Sequence, residues 1–188
     1  MAGPRGQTRE RILDAALTLF LERGIAGTTV SDIERAVGLA AGTGSFYRHF
    51  PSKEAVVVPA FERGVVKAAE QIADERAHPS DSDNSKDQLI SELRDRVADM
   101  RRIQPLWTLL MLERDQYPEL ERVFARTLWS DTWEVDLAAD PTRPVTLAAL
   151  AGFHMLSLLD GSPFRDVDPE EFIAAIVALM LPGVDLPS

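Results

Sequence analysis

Residues 28–54, TTVSDIERAVGLAAGTGSFYRHFPSKE, constrain the fold more tightly than any other part of the 188-residue chain. They read as two short helices joined by a glycine turn, then a polar, aromatic tip and the start of a further helix. Thr29 to Asp32 is a capping-box pattern, in which hydroxyl and carboxylate satisfy the first amides of a helix. Ile33, Ala36 and Val37 give that helix one apolar face, and Gly38 suits the left-handed residue that ends it. Beyond the turn stand Thr43, Ser45, Tyr47, Arg48 and His49, all able to hydrogen-bond phosphate or base edges. A helix-turn-helix unit, one helix braced on the DNA backbone and one entering the major groove, needs this order of parts.

The remainder predicts more helices and no strands. Ile12, Ala15, Ala16, Leu19 and Phe20 follow the spacing of an amphipathic helix over residues 8–23, stopped by Gly24. Ser52 is a helix N-cap, Lys53 in the next turn suits a phosphate, and Pro59 two turns in predicts a kink. The stretch HPSDSDNSKD, residues 78–87, is the clearest loop. Leu89, Leu93, Val97 and Met100 mark the next helix; Pro105 and Pro118 are each expected to open another, and DPTRP, 140–144, to form a second loop. The fold class is all-α, with a small domain at 1–51 and a larger helical one at 52–188.

Charge is distributed unevenly. The net charge is −10, yet residues 1–53 hold seven Lys/Arg against five Asp/Glu, while the rest hold thirteen against twenty-five. A mildly basic head on an acidic body keeps non-specific affinity for nucleic acid low while turning the head toward phosphate. With no cysteine there are no disulfides and no thiolate metal sites. No window of 18 apolar residues predicts a membrane span, and MAGPRGQTR lacks the apolar core of an export signal, so a cytoplasmic protein is expected. Three histidines in unrelated settings, no glycine-rich phosphate loop, no HExxH and no nucleophile elbow argue against an enzyme and against a metal or other cofactor.

The run TRERILDAALTLFLERGIAGTTVSDIERAVGL and the run FYRHFPSKEAV resemble the TetR-type transcriptional regulators. The resemblance covers residues 8–57. It implies a three-helix DNA-binding head followed by a helical domain that dimerises and binds a small effector. One departure is visible: Gly38 to Tyr47 is about two residues longer than the usual spacing, similar to a subgroup with a glycine- and serine-rich insertion. Gly42 and Gly44 each cost a helix roughly 1 kcal/mol relative to alanine, so the reading helix is expected to be short or delayed. The resemblance implies base-proximal roles for Thr43 and Ser45. Phosphate contacts fall to Thr29, Tyr47, His49 and Lys53, with a backbone contact from Arg9.

The last two helices, 145–161 and 169–181, are apolar on more than one face and so need cover on more than one face. A homodimer through a four-helix bundle supplies it. The effector site is expected among Trp107, Leu110, Met111, Phe124, Leu128, Trp129 and His154, an apolar and aromatic set with a polar member. The expected function is a ligand-responsive regulator, usually a repressor, on a near-palindromic duplex operator. The alternative is a helical binding module whose head no longer reads DNA.

Overall fold

A computed structural model of the protein describes residues 4–39, 44–76, 85–128 and 142–180, and among these it is all-α. The helices are α1 (Pro4–Arg23), α2 (Val30–Ala36), α3 (Glu54–Arg76), α4 (Ser85–Glu113), α5 (Glu119–Leu128), α6 (Thr142–Ser157) and α7 (Pro169–Met180). Among the described residues a 3-10 turn, Phe46–Arg48, stands between α2 and α3. No described helix is long and apolar enough to cross a membrane. The chain divides into two compact units, Met1–Gln71 with Ile103–Trp133 and Ile72–Arg102 with Glu134–Ser188. Residues 1–51 lie wholly within the first unit, which continues past them.

The first unit is organised by the apolar stripe of α1. Ile12, Ala16, Leu19 and Phe20 are buried with Ile33 and Val37 of α2, Phe46, Phe50, and Val56, Val57, Ala60, Phe61 and Val65 of α3. Leu106, Leu109 and Leu110 of α4 and Leu120, Val123, Phe124 and Leu128 of α5 complete the core. Gly64 of α3 marks a close approach between side chains and backbone: a Cβ there would stand 2.5 Å from Leu17 Cδ2 and 3.1 Å from Leu106 Cδ2. Arg63 forks onto Asp14, tying α3 to α1, and Arg126 pairs with Glu62.

In the second unit Leu93, Val97 and Met100 of α4 are buried with Leu147, Leu150 and Phe153 of α6 and Ile173, Ile176 and Val177 of α7. Phe153 stacks on Phe172 with ring centroids 4.1 Å apart and meets Phe164 edge-on. Arg94 forks onto Glu170 and Arg102 onto Glu75. Val145, Leu156, Leu159 and Leu179 of the last two helices and their edge remain exposed in the single chain.

Three sequence expectations give way, the first at the end of the expected loop 78–87, where residues 85–87 already belong to α4. Pro105 does not open a helix; it lies inside α4. Losing one backbone hydrogen bond there costs about 3 kcal/mol, and burial of Leu106, Leu109 and Leu110, each worth roughly 1.5–3 kcal/mol, holds the helix together. DPTRP is not wholly a loop either, since α6 starts at Thr142. Pro144 falls in its first turn, where an amide would have no intrahelical acceptor anyway. Helix α3 runs unbroken through Pro59.

Candidate nucleic-acid interface

The head is built on the short helix α2 and the segment that leads from it to α3. Thr29 caps α2: its hydroxyl accepts the Asp32 N–H at 3.2 Å, and the Asp32 carboxylate accepts the Thr29 N–H at 3.0 Å. The Thr29 hydroxyl also donates to that carboxylate. These bonds, the hydroxyl first and the backbone amide next, hold the Asp32 carboxyl below its usual range, helped by Arg35. The expected capping box is therefore present, at the end of α2 where the helix dipole attracts phosphate.

Lys53 joins this end of α2 from another direction. Its ammonium donates to the carbonyls of Ile25 at 2.8 Å and Thr28 at 2.9 Å, closing the turn between α1 and α2. An ammonium has three N–H donors, so one remains for a phosphate beside the α2 amides. Ser52 accepts the Ala55 N–H at 3.3 Å, the capping role expected of it. Glu54 comes next, its carboxyl held down by its own backbone N–H and then by the Ser52 hydroxyl.

The C-terminal end of α2 is closed by Gly38 at φ +70°, and the Arg11 guanidinium donates to the Val37 carbonyl. The chain re-enters at Gly44, φ +69°, a conformation that costs any L side chain about 1–2 kcal/mol. Phe46 and Phe50 are buried with ring centroids 5.9 Å apart. Tyr47 meets Phe46 edge-on and turns outward, 58% exposed. Arg48 is exposed and donates to the Ser45 hydroxyl at 2.7 Å, and His49 is half-buried. Arg9 lies 4.8 Å over the Phe50 ring, a cation–π contact that holds its guanidinium at the head's surface. Thr43 lies outside the described residues. Among the described residues the chain between α2 and α3 forms a 3-10 turn at Phe46–Arg48; the start of the expected reading helix, residues 40–43, lies outside them.

Sequence reasoning passed over Glu34. It is 2% exposed, and its carboxylate accepts the Phe46 N–H at 3.2 Å. The signal was available: an acid directly after Ile33, on the inward phase of a short helix, is out of place unless it has a bond to make.

The expected effector residues fall in both units. In the first, Leu110, Phe124 and Leu128 are buried, Trp107 is half-buried with its ring 5.4 Å from Phe124, and Met111 is exposed. Trp129 lies outside the described residues. His154 belongs to the second unit, where it is buried and its Nε2 has no hydrogen-bond partner among the described residues. Burial, and then the charge of Arg101, pushes its pKa below the ordinary histidine value, which keeps the imidazole neutral. Among the described residues, two of the clefts are open to solvent. One of about 730 Å³ runs between α1 and α3 past Arg9, Leu13, Pro59 and Val66. The other, about 350 Å³, lies in the second unit beside Arg94, Arg101 and Asp168. None of the expected effector residues lines either of these two. Among the described residues no group of three or more acidic or imidazole side chains is arranged to hold a metal.

Residues 12–58 match the profile of the bacterial regulatory proteins of the tetR family. Over 49 residues the chain is 53% identical to the HTH-type transcriptional repressor KstR2 of Rhodococcus jostii, a match spanning 26% of this chain and 23% of that protein. The chain thus aligns with about a quarter of that relative's length. A solved Mesorhizobium loti protein assigned to the TetR family superimposes with a TM-score of 0.63 at 17% identity, covering 95% of this chain and 98% of that one. The multidrug binding protein EbrR, solved with imidazole, superimposes with a TM-score of 0.57 at 26% identity, covering 96% of each. Residues 12–58 thus match the DNA-binding domain of the tetR family, and the helical body that follows shares the fold of these solved proteins.

Proposed function

We propose that this protein is a ligand-responsive regulator of transcription that binds duplex DNA as a homodimer, represses, and is released by a small molecule. The observation that carries the reading is the surface of the head. Outward Tyr47, the remaining Lys53 donor and the capped end of α2 are held on a core of Phe46 and Phe50. Tyr47, His49, Lys53, Thr29 and Arg9 position the head on phosphates, while Ser45 and Thr43 stand nearest the bases. Two heads then read half-sites about 34 Å apart, or a multiple of that, in successive major grooves.

Dimerisation is supported by apolar side chains left exposed on and beside α6 and α7, with Val145 at 68%, Leu159 at 56% and Leu179 at 83%. A second chain is the natural cover for them. The effector reading is supported by the kinship of fold with EbrR, which its name describes as multidrug binding. An effector releases DNA only by binding the non-binding state more tightly, so the two ligands antagonise each other reciprocally.

Fluorescence anisotropy with the DNA upstream of the protein's own gene tests the proposal, with a salt titration and an unrelated duplex as control. Selective, salt-sensitive binding is expected. Tyr47→Phe should weaken binding to every duplex alike. Equal, weak binding to all duplexes, on this DNA and on a random pool, would overturn the reading.

A further inference from the structure

The segment between Gly38 and Tyr47 is flanked on both sides by hydrogen bonds to one residue. The Glu34 backbone carbonyl accepts the Leu39 N–H at 2.8 Å, where the chain leaves α2. The Glu34 carboxylate accepts the Phe46 N–H at 3.2 Å, where the chain enters the 3-10 turn. The side chain is 2% exposed. A carboxylate in such a place is costly unless its oxygens are hydrogen-bonded, and an apolar residue of similar size would fill the space without that cost.

The bond is placed where it governs the tip. Phe46 N–H is the first amide of the turn and has no acceptor within it. Phe46 itself is fully buried, packs edge-on against Tyr47 and beside Phe50, and stands two residues after Gly44. Fixing its amide therefore fixes the direction in which Tyr47 leaves the core.

We infer that Glu34 is a positioning residue for DNA recognition: it clamps the Phe46 amide, and so sets where the reading tip stands relative to α2. Because both flanks are held to the same residue, the tip's position does not depend on the length of chain between them. A segment two residues longer is then compatible with an unchanged tip. This inference rests on the DNA-binding reading.

The test uses the full chain and a duplex enriched from a random pool by the wild-type protein, with a random-sequence duplex as control. Glu34→Gln keeps the acceptor oxygen and its reach; Glu34→Asp keeps the charge but is one methylene short. The readouts are the ratio of the two dissociation constants and the hydrogen exchange of the Phe46 amide. For Glu34→Gln the ratio should stay within about twofold of wild type. For Glu34→Asp it should fall about tenfold, with faster Phe46 exchange and little change on the random duplex. An unchanged ratio and unchanged Phe46 protection in Glu34→Asp would overturn the clamp. So would equal losses in both variants, or parallel loss on both duplexes. A wild-type chain that enriches no duplex at all overturns the DNA-binding reading as well.

Discussion

The Lys53 ammonium donates to the Ile25 carbonyl at 2.8 Å, reaching across 28 positions of sequence to the turn that launches α2. With the second bond to Thr28 it makes one side chain both a structural tie and a neighbour of the capped N-terminal end of α2. The two roles separate in experiment. Lys53→Met keeps the stem and removes the donors, and it should lower stability by about 1–3 kcal/mol in urea unfolding. On DNA it should weaken binding to all sequences alike and reduce the salt slope by about one. A slope equal to wild type would mean that all of the charge is spent on the two carbonyls.

Gly64 separates packing from backbone freedom. An added methyl would stand 2.5 Å from Leu17 Cδ2, the end of a flexible side chain, and 3.1 Å from Leu106 Cδ2. Gly64→Ala gains helix propensity of about 1 kcal/mol but must push both leucines aside, at about 1–3 kcal/mol. The sign is set by Leu106, which is buried and has little room. A net loss of stability is expected in chemical denaturation, and Leu106→Ala in the same background should recover part of it as a non-additive pair.

Much of the head was legible because its signals are local. The apolar stripe of α1, the Thr29 capping box and the Gly38 turn each act within one or two helical turns, and all three appear in the structure. What escaped the sequence depends on distant partners. The inward phase of Glu34 hints at a buried bond, but its partner, the Phe46 amide twelve residues on, is legible only in the structure. Pro105 reads as a helix start by its own chemistry, and only the burial of the three leucines beyond it keeps α4 whole. Neither residue type nor the family resemblance reveals that His154 and Trp107 belong to different compact units.

His154 gives the second unit a pH dependence of definite sign. Its folded pKa lies below the ordinary value of 6.5, first through burial and then through Arg101. The unfolded chain therefore binds the proton more readily than the folded one as pH falls through that value. Stability from this group is complete above about pH 6.5 and declines below it. Urea midpoints at pH 7.5 and 5.5 should fall for the wild type by more than for His154→Phe. The difference between the two chains isolates this site from the carboxylates and the other histidines. Equal pH dependence would mean that water or a partner chain satisfies the imidazolium.

Leu179 is the sharpest test of the proposed dimer. It is 83% exposed on α7 although its helix neighbours Ile173, Ile176 and Val177 are buried. A leucine so exposed contributes almost nothing to the fold of one chain, so Leu179→Asp should leave the circular dichroism and the chemical denaturation of a dilute sample nearly unchanged. Across an interface the same substitution sets two carboxylates against each other at or near a two-fold axis, or sets each against apolar surface. Either arrangement costs several kcal/mol, through lost burial and uncompensated charge, which is at least a hundredfold in dissociation constant. Sedimentation velocity over a concentration series should show the wild type as a dimer and the variant as a monomer at micromolar concentration. Because two linked heads bind an operator far more tightly than one, the monomeric variant should also lose selective DNA binding while each head stays folded. A variant that remains dimeric would place the interface on other residues of α6, α7 and the turn after α6, with Val145 and Leu159 the next to change.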